Sequence, residues 1–292
     1  MNYIDEQTVQ KNMGNRIKKN KMWRWLFFSA TMIALLFLAA LAYRILTQGI
    51  GGIDWQFISG FTSASPERAG IKAGVVGSLW LMAVTAPVTI ILGVATAIYL
   101  EEYAKKGRLT NFIQTNIQNL AGVPSIVFGL LGLTIFVYVF NIGEVILAGG
   151  LSLALLVLPV ITVAAQESVR AVPTDVKEAS YAMGATKWQT VRRIILPAAI
   201  PGIITGSILA LSRAIGETAP LLVVGASTAI FTLPNGIMSP YTAMPIQIFS
   251  WTQQPQQAFQ GVASAGIVIL LVILLLMNSI AVFIRNKFQN RY

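Results

Sequence analysis

Neither cysteine nor histidine occurs among the 292 residues. Without cysteine there is no disulfide, no thiolate metal site and no cysteine nucleophile. Without histidine there is no Ser-His-Asp triad and no His-ligated zinc. Charge is scarce too: 11% of the residues are Asp, Glu, Lys or Arg, less than half of the roughly 25% that a soluble domain carries. No stretch matches G-x-x-x-x-G-K-[ST], so the chain encodes no Walker-type nucleotide loop. If ATP drives this protein, another chain hydrolyses it.

What is present is apolar, at 55% of the residues, and it comes in long runs. A membrane span needs about 20 mainly apolar residues, because backbone amides in lipid must be satisfied within the helix. Six runs qualify: 26–46, 73–100, 120–140, 145–165, 200–224 and 262–284. Pro124 falls in the first turn of the third, and Pro87 and Pro159 fall inside the second and fourth. The first run follows the interfacial pair Trp23 and Trp25; it is too long for a secretory signal and is expected to be a retained helix. The expected organisation is a basic tail (1–25), a first helix (26–46), an outer loop (47–72), a five-helix core (73–284) with a long connection at 166–199, and a short tail (285–292).

The net charge of +10 does not point to nucleic acid, since the basic residues lie in short segments between apolar runs and not on a polar face. They write topology instead. Lys11, Arg16, Lys18, Lys19, Lys21, Arg24, Lys105, Lys106, Arg108, Arg170, Lys177, Lys187, Arg192, Arg193, Arg285, Lys287 and Arg291 share one side of a six-span arrangement. Only Arg68 and Lys72 lie in connections on the other side. Both termini are therefore expected in the cytoplasm, with the basic tail meeting anionic lipid.

Two features exceed a generic bundle. In the connection 166–199, Pro173 and Thr174 suit a helix start, Asp175 and Glu178 have capping-box spacing, and Gly184 suits a left-handed cap. Thr186 can cap a second short helix that Pro197 would end. Two short helices joined at a glycine make an elbow for a partner's groove or an interfacial helix on the membrane. The second feature is Arg213 with Glu217 inside the fifth run, four residues apart and so on one helical face. Gly202, Gly206, Ala210 and Pro220 share that arc, which should point into protein or a water-filled path. A guanidinium there suits a tetrahedral oxyanion; a structural ion pair is the plainer alternative.

The loop residues Glu178, Ala179, Ser180, Gly184, Ile194, Leu196 and Pro197 follow the pattern E-A-A-x(3)-G-x(9)-I-x-L-P, with Ser180 a small-for-small departure. In this the chain resembles the bacterial ABC importer permeases. Segments 98–103, 122–129, 184–188, 213–222 and 244–249 with Trp251 are similar, more narrowly, to the PstA-type permease family of phosphate importers. The resemblance runs from about Gly70 to the C-terminus.

It implies an all-α integral membrane protein of six transmembrane helices with the type I ABC importer permease fold. The implied partners are a PstC-like sister permease, two copies of a PstB-like ATPase, a phosphate-binding protein and the lipid bilayer. The chain itself would hold no cofactor, ATP and Mg belonging to the ATPase. Arg213, Glu217 and Thr218 would then line the phosphate pathway. Arg170, at the cytoplasmic mouth of the fourth span, could meet the exiting anion or serve as a snorkelling anchor. Glu101 and Glu102 are expected at the membrane edge beside Lys105 and Lys106, Gly49, Gly51 and Gly52 in a flexible outer turn, and 225–261 as an outer surface for the binding protein, an outer gate or a mobile loop. A permease for sulfate or molybdate, or an ATP-independent carrier in which Glu217 titrates, are the competing readings.

Overall fold

The computed structural model describes residues 6–289; Arg291, counted above in the basic tail, lies outside them, as do the side chains of Lys11 and Lys287. The described residues contain no strand and form twelve α-helices, besides short 3₁₀ turns: α1 (Glu6–Gly49), α2 (Trp55–Ser59), α3 (Lys72–Ile98), α4 (Arg108–Leu120), α5 (Ser125–Gly132), α6 (Ile146–Arg170), α7 (Thr174–Ala182), α8 (Lys187–Thr190), α9 (Leu196–Ile215), α10 (Ala219–Val223), α11 (Met244–Thr252) and α12 (Ala258–Gln289). Wider π turns extend α3 over Tyr99–Tyr103 and α5 over Leu133–Val139, and join α8 to α9 over Val191–Ile195.

Five helices are long and apolar enough to cross a membrane, and a sixth crossing forms if α4 and α5 count as one broken span. The expected third span, 120–140, starts later than expected: α5 with its π extension covers Ser125–Val139, and the preceding α4 meets it at 104°. Pro124 is the cause. It drives the preceding residue out of the helical region and donates no hydrogen bond, so the chain must leave the helix before restarting at Ser125.

The fifth expected span breaks as well. α9 stops at Ile215, Gly216 turns, and α10 starts at Ala219. A helix running on through Pro220 would press its ring into the carbonyl of Gly216. Below α9 the expectation fails in the opposite sense, because Pro197 does not end the second short helix. The π turn Val191–Ile195 widens the backbone there, and α8 runs through it into α9. Toward the N-terminus α1 already includes Glu6, so residues 6–25 of the expected basic tail continue the first helix.

Small residues bring the spans together. Gly150 of α6 faces Val84 of α3, and the Thr85 hydroxyl donates to the Gly150 carbonyl at 2.9 Å. Gly202 and Gly206 of α9 sit on Ser168 and Ala164 of α6. Close approach of this kind drives helix association where lipid offers no hydrophobic contrast. α1 touches the body mainly through α12, and Gly49 is no flexible turn: it is buried where a side chain would strike the backbone of Ser264.

The connection 225–261 is exposed over much of 231–240 and over 252–258, but its middle is not a surface. Residues 241–248 are buried, with α11 wedged against α3 and α12. The fully buried Gln247 amide donates to the Gly70 carbonyl at 2.7 Å and to the Thr62 hydroxyl at 3.0 Å. Burial, then the Glu144 charge, pushes the Tyr241 phenol well above its ordinary range.

Candidate functional site

Two regions carry the expected site residues, and they sit at different depths. The first is the break after α9. Arg213 lies in the last turn of α9, Glu217 in the break and Thr218 at the start of α10. Arg213 Nε donates to Glu217 Oε1 at 3.4 Å, a long contact. The expectation of a charge enclosed within this chain is corrected, since the Arg213 side chain is 68% exposed and Glu217 15%. Gly202, Gly206 and Ala210, by contrast, do face α6 or the core, as the arc required. Glu217 lies past the end of α9, whereas Arg213 is still within it and is exposed because no element of this chain covers that end of the arc.

Arg213 and Glu217 line a shallow cleft with Ala121, Leu156, Val157, Val160, Ala210 and Ala214. Leu156 and Val157 lie near the middle of the 25-residue α6, so the cleft stands at mid-span. Ala121 places the other break, between α4 and α5, at the same spot. Two interruptions of helical backbone therefore meet beside one guanidinium. At this depth irregular backbone persists only inside protein or along a water-filled cavity. The cleft measures about 20 Å³, room for about one water. Sequence reasoning missed the contribution of the α4–α5 break, although Gly122 and Pro124 were the available signal.

The second region is the loop 166–199. Gly184 has φ +81°, and its N–H bonds the Tyr181 carbonyl at 2.9 Å while the Ala185 N–H bonds Ser180 at 3.2 Å. That pair of bonds closes α7 as a Schellman motif, which needs a residue without a Cβ penalty. Thr186 and Gln189 form a reciprocal capping box at the start of α8. The expected box at Asp175 and Glu178 is absent, because Pro173 occupies the cap position and has no side-chain oxygen to accept a bond. The Ser180 and Thr190 hydroxyls meet at 2.9 Å, tying α7 to α8. Glu178, Ala179 and Gly184 are exposed, together with Val176, Tyr181, Met183 and Trp188, so the elbow projects apolar side chains outward. Ile195 is buried beside Ile194, Leu196 and Pro197, which root the elbow in the body. Partial shielding of its hydroxyl from water, then the Glu102 and Tyr103 charges, raises the otherwise exposed Tyr181 phenol above its ordinary range.

Arg170 is not brought to Arg213. Thirteen residues of α6 separate it from Val157, about 20 Å along the axis. Its guanidinium is engaged by Glu101 at 2.7 Å and Glu167 at 3.1 Å. Glu101 and Glu102 do not pair with Lys105 and Lys106; Glu101 accepts from Arg170 and Gln166, and Glu102 accepts from Lys177 at 2.6 Å. The π turn directs these neighbouring carboxylates toward α6 and α7 respectively.

Among the described residues no cluster of His, Cys, Asp or Glu could hold a metal ion. Comparison with known proteins agrees with the helical plan. Two solved structures share the fold: the MetNI methionine ABC transporter in an inward-facing form (TM-score 0.61, 20% identity, 74% of this chain and 96% of that one) and a bacterial alginate ABC transporter in complex with a pentasaccharide-bound periplasmic protein (TM-score 0.66, 15% identity, 91% and 94%). In sequence the chain is 34% identical to the probable ABC transporter permease YqgI of Bacillus subtilis, over 90% of this chain and 94% of that one. It is 34% identical to the phosphate transport system permease PstA 1 of Mycobacterium tuberculosis H37Rv (87% and 84%) and 30% to PstA of Yersinia pestis (96% and 95%). Residues 89–290 match the family described as the inner membrane component of binding-protein-dependent transport systems, and to that family the chain belongs.

Proposed function

We propose that this chain lines half of the membrane path of an ATP-driven importer of inorganic phosphate, and that Arg213, Glu217 and Thr218 meet the anion. The observation that carries the reading is the Arg213 guanidinium opening out of the chain at mid-span, beside two helix breaks. A cation at that depth is too costly to face lipid. With room for about one water in its own cleft, it must be covered by a second polypeptide that completes a polar path. Relatives named for phosphate transport supply the substrate.

The chemistry follows from the residues. A guanidinium offers a planar fork of N–H donors that matches oxyanion geometry. Glu217 steadies that fork and accepts a hydrogen bond from a protonated phosphate oxygen. Thr218 adds a hydroxyl at the start of α10. The covering chain is a PstC-like permease, and a phosphate-binding protein delivers substrate on the side opposite the elbow. Two copies of a PstB-like ATPase, holding ATP and Mg, receive the apolar elbow at Glu178–Gly184. Their closure rocks α6 and α9, which the elbow joins, and so alternates access. Both termini then lie in the cytoplasm. Arg170, held by two carboxylates, belongs to the elbow's frame at the cytoplasmic mouth.

Radiolabelled phosphate uptake by the assembled importer tests this. Arg213→Gln should abolish uptake while all subunits still co-purify, with excess phosphate but not sulfate or molybdate competing in the wild type. Unchanged uptake in that variant contradicts the reading, and so does restoration of transport by Arg213→Glu with Glu217→Arg, which would make the pair structural. Stronger competition by sulfate or molybdate would transfer the site to another oxyanion.

A further inference from the structure

The elbow is continuous with α6 and α9 through the backbone, but α3 has no chain connection to it. α3 nevertheless packs along the length of α6, and its lower end is bound to the elbow by side chains. The π turn Tyr99–Tyr103 presents three consecutive residues to three parts of the loop. Glu101 holds Arg170 at the foot of α6 through two contacts, at 2.7 and 3.3 Å. Glu102 holds Lys177 of α7 at 2.6 Å, with side chains only 8% and 17% exposed. The ring of Tyr103 lies under the Lys187 ammonium, 5.1 Å away, at the start of α8. Directly above, Ala97, Ala165, Val169, Val172, Val191 and Ile195 form one tightly closed cluster.

Resting on the reading of 166–199 as the ATPase-docking loop, we propose that Glu102 and Lys177 are positioning residues: a strut that passes displacement of α7 directly to α3. An i→i+5 turn suits the task, because the Ala104 N–H reaches back to the Tyr99 carbonyl at 2.8 Å and aims successive carboxylates at different helices. A shielded ion pair resists being pulled apart, since separation leaves a charge without its partner. Movement of the elbow therefore carries α3 and α6 together instead of shearing one past the other. Remove the strut, and the motor continues to run while part of each stroke is lost.

The test is made on the complete importer in proteoliposomes, recording phosphate moved and ATP hydrolysed in the same sample. In Lys177→Met the ATPase should co-purify at wild-type yield and hydrolyse ATP, while phosphate moved per ATP falls about three- to tenfold, within the roughly two- to thirtyfold range of coupling changes for residues touching neither ligand. Glu102→Gln, nearly isosteric, should do the same and guards against a folding failure in Lys177→Met. The exchange Glu102→Lys with Lys177→Glu should restore the ratio. An unchanged ratio in both single variants, loss of ATPase capture in both, or an exchange no better than the single changes overturns the strut. If the wild type captures no ATPase, the docking reading itself falls, an outcome distinct from a wild type that binds its motor with a ratio indifferent to these residues.

Discussion

The elbow and the mid-span break are opposites in how their polar groups are settled. In the elbow the helix ends and the charges at its base are answered inside the chain. Gly184 closes α7, Thr186 and Gln189 cap α8, Ser180 meets Thr190, and Glu101 and Glu102 hold Arg170 and Lys177. At the break, Arg213 has one long contact to Glu217 and otherwise opens outward. On the proposed reading, the part that transmits force is finished within its own chain, and the part that binds and releases the anion is left for other molecules to complete. The exposed apolar side chains of the elbow mark where its rigidity is spent, against a partner.

Attacking the finished region should produce the largest effect. Gly184→Pro cannot hold φ +81° and loses the N–H that reaches Tyr181. Capture of the cognate ATPase by the purified permease should fall by about tenfold or more, while the α9 break remains intact. Full capture would show that the elbow shape does not matter for docking. The seam joining the two regions comes next. In Gly206→Leu the first added carbon already meets the Ala164 methyl, so the α6–α9 contact should weaken by about 1–3 kcal/mol. Thermal unfolding in detergent reads this as a lower midpoint, and an unaltered midpoint would mean that the seam is looser than drawn. The smallest change is Thr186→Ala, which removes one half of the capping box. It should cost about 1 kcal/mol locally, visible as roughly fivefold faster hydrogen exchange at Gln189, with uptake nearly unchanged. Equal exchange rates would show that Gln189 is protected by something other than its cap.

The same contrast decides how much could be read from residues alone. The elbow's glycine, its second cap and its small-residue positions are local instructions, so spacing revealed them. Five of the six spans were equally plain, because hydropathy alone specifies a membrane helix. The breaks were hidden because an apolar run averages over its prolines. Pro124 and Pro220 stand at helix starts after a break, whereas Pro87 and Pro159 lie inside the unbroken α3 and α6, so a proline within an apolar run does not by itself say which run is interrupted. The partners of Glu101 and Glu102 lie 65 to 75 residues away, beyond what charge spacing along one helix reveals. Gln and Pro made 225–261 look solvent-facing, whereas Gln247 is buried because its amide finds a carbonyl 177 positions distant. Exposure of Arg213 was the hardest to foresee. Periodicity says which residues share a face, but not whether that face is covered by the same chain.

The central claim is that the break at 216–218 borders a watery anion path shared with a second subunit. Because the chain contains no cysteine, Thr218→Cys gives a single reactive thiol at that spot. In the assembled importer, a small charged methanethiosulfonate should label it from water, and phosphate should slow the labelling where sulfate does not. A thiol that reacts only with lipid-soluble maleimide, at a rate indifferent to phosphate, would contradict the account.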